Sequence, residues 1–309
     1  MNVLITGSNG FVGRHLAELL RRRGHIVHGI DIHEDSWASW MRYAKVDITK
    51  FEDLWSVVSS NSVEVVYHLA AVANPRIADS NPLLGISVNV LGPCNLLECA
   101  RLRPSLKVLF VGSSEQYRTK SGNHIRYEEH DEQRAHNIYG AAKIAFETIG
   151  REYHRRFGVN VYFTRSFNHT GPGQPAEYVL ASFAEQVRAI ARGDQQPVIK
   201  VGNIKATRDF TDVRDVVCAY EAVVEHGVCG ETYNVCSGRV YSLKDLLNQM
   251  LRKAGILDRV TIETDPKLLR DDDPDAVFGD NSKLVLHTGW KATRQIETTV
   301  QELVAVDSE

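Results

Sequence analysis

Three side chains in this chain have the types and spacing of a proton-transfer site. Tyr139 and Lys143 stand four apart in Tyr139-Gly140-Ala141-Ala142-Lys143, a stretch dominated by helix formers, so a helix there carries both on one face. An ammonium beside a phenol favours the phenolate and lowers a pKa that is about 10 in water, which makes tyrosine a usable acid or base near neutrality. The third group lies upstream, where the apolar run 108–112 ends in Ser113-Ser114-Glu115-Gln116-Tyr117. A hydroxyl at the carboxyl end of a strand can hold a carbonyl oxygen while tyrosine delivers the proton. Alone, a Tyr-x-x-x-Lys spacing recurs by chance on ordinary helix surfaces. Here it gains meaning from the serine strand end and from a glycine loop at the start of the chain.

That loop is Gly7-Ser8-Asn9-Gly10-Phe11-Val12-Gly13, between an apolar strand at residues 3–6 and a helical pattern. This is the frame a phosphate-binding turn requires, because glycines let backbone approach a pyrophosphate while the helix N-terminus supplies N–H groups and positive potential. Gly7, Asn9, Gly10, Phe11, Val12 and Gly13 are therefore expected at a dinucleotide. Asp31 ends the second strand, where a carboxylate accepts the adenosine ribose hydroxyls and repels a 2′-phosphate. NAD(H) is accordingly favoured, with NADP(H) possible if Arg22 or His33 meets the phosphate. Asp47 and Ile48 are expected to flank the adenine, and Leu69, Ala70 and Ala71 to let backbone approach the cofactor. His68 reads as a packed strand-end histidine. Tyr139 and Lys143 are expected to touch the cofactor as well.

The elements that must position these groups alternate short apolar runs with longer amphipathic ones. The fold class is α/β, a doubly wound parallel Rossmann sheet, with strands at 3–6, 27–31, 63–68, 108–112 and 160–165. Helices are expected at 11–23, 51–59, 82–101 and 136–157, then at 179–192, 213–228 and 243–254. Residues 1–167 read as the dinucleotide-binding domain. Residues 168–309 read mainly as a smaller substrate-binding region, with some segments returning to the first.

The 309 residues are 43% hydrophobic, enough for a large core without disulfides or a metal. Cys94, Cys99, Cys218, Cys229 and Cys236 lack paired spacing, so reduced thiols and no metal site are expected. The net charge of -3 argues against a nucleic-acid partner. Arg21-Arg22-Arg23 reads as the cationic end of a helix. The first strand begins directly after Met1-Asn2, and no apolar run approaches the roughly 18 residues of a membrane span, so a cytoplasmic protein with no membrane association is expected.

The glycine loop, the serine strand end and Tyr139/Lys143 resemble the extended short-chain dehydrogenase/reductases, and the resemblance runs over nearly the whole chain. Longer stretches are similar to the GDP-4-keto-6-deoxy-D-mannose reductases in that family: Arg165-Ser166-Phe167-Asn168-His169-Thr170-Gly171-Pro172-Gly173, Thr207-Arg208-Asp209-Phe210-Thr211-Asp212, Tyr233-Asn234-Val235-Cys236-Ser237-Gly238 and Gly279-Asp280-Asn281. The resemblance implies a catalytic set of Ser113, Tyr139 and Lys143, with Glu115 beside it. It also implies a nucleotide-sugar substrate contacted by Ser114, Glu115, Asn168, Arg208 and Arg270, and a homodimer built on the helices near 82–101 and 136–157. The arginines suit a diphosphate, although Asp209 or Asp271 could instead take them as surface salt bridges. The chain departs from the pattern at Arg118, at Asn137-Ile138 and at Asp271.

The expected activity is reduction of the C4 ketone of a sugar nucleotide. A 4,6-dehydratase, which needs a further acid/base pair such as Glu115 could supply, and a 4-epimerase are the alternatives. A non-catalytic dinucleotide sensor on the same fold is disfavoured by the complete Ser/Tyr/Lys set.

Overall fold

Seven parallel strands form the main sheet in the order Thr232–Val235, Asn160–Ser166, Lys107–Ser113, Val65–His68, Asn2–Thr6, Ile26–Asp31, Arg42–Lys45. The computed structural model describes residues 1–118, 126–269 and 276–305. Alternation along the inner strands sorts side chains to the two faces. Val3, Ile5, Val65, Tyr67 and Leu109 pack under the helices Phe11–Arg22 and Val213–His226. Leu4, Val66, Val108 and Phe110 pack under Phe51–Ser60, Gly92–Leu102 and Ile138–Phe157. Both faces are covered, which is why these strands read as nearly unbroken apolar runs.

From Asn2–Thr6 the chain runs outward to Ile26–Asp31 and Arg42–Lys45, then returns to lay Val65–His68 on the first strand's other side. A crevice opens at such a reversal, beyond the carboxyl ends of the two strands. A separate core joins Leu180, Phe183 and Val187 to Leu246, Met250 and Val300, from the helices Val179–Arg192, Leu243–Lys253 and Ile296–Val304. The strand Thr232–Val235, from this second half, closes one edge of the main sheet.

The edge strand Arg42–Lys45 was not expected, because its exposed Arg42 and Lys45 leave no apolar alternation to read. The helix expected at 82–101 is a continuous run in which residues Ser87–Leu91 form a π-turn between Pro82–Ile86 and Gly92–Leu102. This run, Pro82–Leu102, does have the length and mean hydropathy of a membrane span, contrary to the sequence reading, and half of its apolar window is buried inside the protein. The helix expected from residue 136 begins at Ile138, because Asn137 takes the cap position and its Oδ1 accepts the Gly140 N–H at 2.7 Å.

Candidate active site

The glycine loop sits at the crevice. Gly7 adopts φ +70°, and a Cβ on it would come 2.8 Å from the Ala70 nitrogen, while one on Gly13 would come 2.3 Å from the Gly7 oxygen. The loop is thus folded onto itself and onto the end of the Val65–His68 strand, where only glycine fits. The helix beginning at Phe11 has Gly10 as its cap, with no side-chain cap bond and no acid in the first turn. Its leading N–H groups, at Phe11, Val12 and Gly13, are aimed at the crevice as anion donors, which fits a pyrophosphate.

Asp31 stands at the loop's outer edge with its side chain 11% exposed. Its Oδ2 accepts the Asn9 N–H at 3.1 Å and its Oδ1 the Ile32 N–H at 2.8 Å. A carboxylate has about four acceptor positions, so these two bonds orient Asp31 and leave capacity for ribose hydroxyls. The Asn9 side chain is committed elsewhere: its amide donates to the Asp35 carbonyl and Tyr43 hydroxyl, and its oxygen accepts the Trp37 N–H. Asn9 therefore ties down the loop after Asp31. Arg22 cannot serve a 2′-phosphate here. It lies at the far end of its helix, roughly 16 Å along the axis from Phe11, paired with Glu18 at 3.0 Å. The cation beside the loop is Arg14, which the sequence reading passed over; its Nε donates to the Asn9 carbonyl at 2.9 Å. His33 lies 3.9 Å from Asp31.

Two buried asparagines, also unforeseen, brace the other segments expected at the cofactor. Asn89, in the π-turn, exchanges hydrogen bonds with the backbone of Val72 at 2.9 and 3.1 Å, holding the chain just after Leu69, Ala70 and Ala71. Asn95 donates to the Ile48 carbonyl at 2.9 Å. Asp47 turns its carboxylate onto Thr49. His68 is a packing residue, as expected: it pairs with the Thr6 hydroxyl at 2.8 Å, and burial, then the charge of Lys143, push its pKa down to about 3.

The structure brings Ser113, Tyr139 and Lys143 together. Ser113 ends the strand Lys107–Ser113, and Tyr139 and Lys143 share the inner face of Ile138–Phe157. The Ser113 hydroxyl is near enough to the Tyr139 phenol to act on it electrostatically, and its Oγ accepts the Glu115 N–H at 3.2 Å. The Lys143 Nζ lies 5.6 Å from the Tyr139 ring centroid and donates to the Val111 carbonyl at 2.8 Å. The electrostatics differ from the sequence expectation. Burial raises the Tyr139 phenol well above its ordinary range, outweighing the lowering influence of the neighbouring Ser113 hydroxyl, and the charge of Glu115 adds to the rise. Burial also pushes Lys143 down to about 7. The protein alone therefore holds Tyr139 as a protonated acid.

Glu115 points along the start of the helix Ile138–Phe157, where its Oε2 accepts from the Asn137 amide at 2.9 Å and pairs with His136 at 3.0 Å. The departure at Asn137 thus has a structural use, capping the helix and fixing Glu115. Arg118, another departure, pairs outward with Glu132 at 2.7 Å. Ser114 and Glu115 lie in the single turn Ser114–Gln116 that follows the serine strand.

Asn168 begins the short strand Asn168–Thr170, and the neighbouring His169 ring stacks on Phe11 of the glycine loop at 6.2 Å. This places the Asn168 segment against the cofactor crevice. Arg208 lies on the strand Thr207–Arg208 and donates to the Thr207 carbonyl at 2.7 Å. Asp209 is buried and spends its carboxylate on Ser237 and Gly238, at 2.6 to 2.9 Å. Burial raises its pKa to about 6 against those bonds. Arg270 lies outside the described residues. Among the described residues one group, His25, Glu221 and Glu225, gathers possible metal ligands within 4.8 Å; His25 immediately precedes the strand Ile26–Asp31, so the group lies by the amino ends of the strands, away from the carboxyl ends that carry this site.

A family model described as GDP-mannose 4,6 dehydratase matches residues 4–303. The GDP-6-deoxy-D-mannose reductase of Pseudomonas aeruginosa is 30% identical to this chain over 307 residues, spanning 98% of it and 96% of the relative. The solved structure of RMD from Pseudomonas aeruginosa complexed with NADPH is 28% identical, covers 98% of both chains and superposes with a TM-score of 0.84. A UDP-glucose 4-epimerase from Thermus thermophilus in complex with NAD is 27% identical, with 98% of both chains covered and a TM-score of 0.86.

Proposed function

The chain belongs to the GDP-mannose 4,6 dehydratase family, and on that premise we propose that it reduces the C4 ketone of a nucleotide-activated sugar with NAD(P)H. The substrate in this reading is GDP-4-keto-6-deoxy-D-mannose and the product a GDP-6-deoxyhexose. The observation that carries it is the convergence of the Ser113 strand end with Tyr139 and Lys143 on one helix face, the Lys143 Nζ lying 5.6 Å from the Tyr139 ring centroid in surroundings whose burial favours the neutral phenol. Ketone reduction needs an acid at the carbonyl oxygen, and that is the form burial enforces.

When bound, the nicotinamide supplies the hydride to the C4 carbon. Ser113, whose Oγ already accepts the Glu115 N–H, turns its own proton toward the carbonyl oxygen and polarises it. Tyr139 gives that oxygen its proton, and the Lys143 ammonium stabilises the phenolate left behind. The acid/base pair that a dehydratase adds is not well served by Glu115, which Asn137 and His136 hold at the helix start. A NAD-retaining dehydratase or 4-epimerase is the second reading, favoured by Asp31 at the ribose position.

NAD(H) is the cofactor Asp31 favours, with Arg14 and His33 the cations near enough to admit NADP(H). The reading includes a cytoplasmic homodimer without nucleic-acid or membrane partners. Ile77, Leu83, Ile86 and Leu91 are exposed beside the catalytic helix, Leu83 by 81%, and a second copy would cover them. It also divides the chain near residue 167, with Val213–His226 and Thr232–Val235 returning to the cofactor domain. The test is incubation with GDP-4-keto-6-deoxymannose and NADH or NADPH. Loss of nicotinamide absorbance is expected; elimination of water from GDP-mannose without added reduced cofactor refutes the reductase reading.

A further inference from the structure

We propose that Gln116 and Glu147 are positioning residues that lock Ser113 to the helix carrying Tyr139 and Lys143. Glu147 lies four residues beyond Lys143, so the three fall on one stripe of Ile138–Phe157, with Glu147 1% exposed beneath the site. Its carboxylate accepts from the Gln116 Nε2 at 2.7 Å, the Arg165 Nη2 at 2.7 Å, the Arg165 Nε at 3.1 Å and the Thr232 hydroxyl at 2.9 Å. The Gln116 Oε1 in turn accepts the Ser113 N–H at 2.9 Å. Chemistry fixes this orientation, because a carboxylate only accepts and a backbone N–H only donates, so the amide of Gln116 can face only one way. Two hydrogen bonds in series thus join the catalytic helix to the backbone of the catalytic serine.

The strut is buried and closely fitted. Gly112 is required beside it, since a Cβ there would stand 2.3 Å from the Gln116 Oε1. Arg165 lies opposite Gly112 in the adjacent strand, fully buried, with its guanidinium 4.8 Å from the Tyr117 ring centroid. Burial alone would raise the Glu147 pKa, but the Arg165 hydrogen bonds and charge prevail and hold it below the ordinary carboxylate range. Glu147 is therefore a permanent anion, and Gln116 always has an acceptor for its N–H. The consequence for the reaction rests on the proposed reductase reading: Ser113 and Tyr139 must meet one carbonyl oxygen together, and a displacement near 1 Å between such groups costs about a hundredfold in rate.

Glu147→Gln would leave Arg165 buried with no anion and endangers folding, so the test uses Gln116→Met, which keeps the volume and removes both polar contacts. Its kcat should fall about tenfold to a hundredfold, with the KM for the sugar nucleotide and the cofactor Kd changed by less than about twofold. In a Ser113→Ala background the same substitution should change kcat by less than about twofold, because Gln116 acts through Ser113. Gln116→Glu keeps the acceptor for Ser113 but needs a proton shared with Glu147, so its kcat should recover toward wild type as pH falls. The Ser113 amide should exchange with solvent more than about tenfold faster in Gln116→Met, a readout that needs no substrate. Equal kcat losses in both backgrounds, or unchanged Ser113 exchange, overturn the proposal. If wild type does not reduce the ketone, the reductase reading fails while the exchange result still decides the strut.

Discussion

Gly140 follows Tyr139 directly, and a single methyl group there tests how closely the helix must approach the serine turn. The Cβ of an alanine would stand 2.4 Å from the Glu115 carbonyl oxygen and 3.0 Å from the Ala135 Cβ, whereas real Cβ atoms do not approach below 3.0 Å. The helix and the Ser114–Gln116 turn must therefore part by at least 0.6 Å, carrying Tyr139 away from Ser113. Alanine is the better helix former by about 1 kcal/mol, while overpacking costs about 1–3 kcal/mol, so the net loss of stability should stay within about 2 kcal/mol. The effect on catalysis should be larger. If a misplacement of 1 Å costs about a hundredfold, 0.6 Å should lower kcat by roughly ten- to a hundredfold, about 1.4–2.7 kcal/mol in the barrier. The assay is steady-state ketone reduction, with the cofactor Kd and the melting temperature measured on the same preparation. Cofactor affinity should hold, since the glycine loop lies on other elements. A Gly140→Ala enzyme with kcat within about twofold of wild type would refute the reasoning.

Tyr139→Phe keeps the ring and removes the transferable proton, so turnover should fall by about a hundredfold or more with cofactor affinity nearly intact; retention of a tenth of the activity contradicts the assignment. The free enzyme's pH profile should be one-sided. Reduction needs protonated Tyr139, which burial secures, and charged Lys143, which burial discharges from about 7, so kcat/KM for ketone reduction should decline above about pH 7, and a rise there would count against it. The same Lys143 binds its proton more weakly folded than unfolded, where its pKa is 10.5; the unfolded state holds the extra proton between these values, so this contribution to stability grows with pH from about 7 to 10.5 and should vanish in Lys143→Met, as denaturant titrations at several pH values would show. Asp31→Ser should narrow a wild-type preference for NADH over NADPH of roughly ten- to a hundredfold, worth about 1–3 kcal/mol; equal or tighter binding of NADPH by wild type defeats the claim.

Local patterns were legible without coordinates. The strand, glycine loop and helix of residues 2–22 are contiguous, so spacing alone exposed them, and Tyr139 and Lys143 needed only the helical period to share a face. Ser113 and Asp31 were readable because each ends an apolar strand, and strand ends in a parallel sheet face the ligand crevice. What stayed hidden depends on which distant segments become neighbours. No local signal pairs Asn89 with Val72 across the π-turn, or Gln116 with Glu147 thirty-one residues away. The bare composition of Arg42–Lys45 gave no hint that hydrogen bonds to Ile26–Asp31 would make it a strand. The same holds for the electrostatics. The sequence placed a lysine near a tyrosine and implied a lowered phenol, but the sign of that shift is a sum over every atom excluding water from the pair. Only the packed tertiary structure supplies that sum, and in it burial wins, leaving Tyr139 an acid and Lys143 about half charged near pH 7.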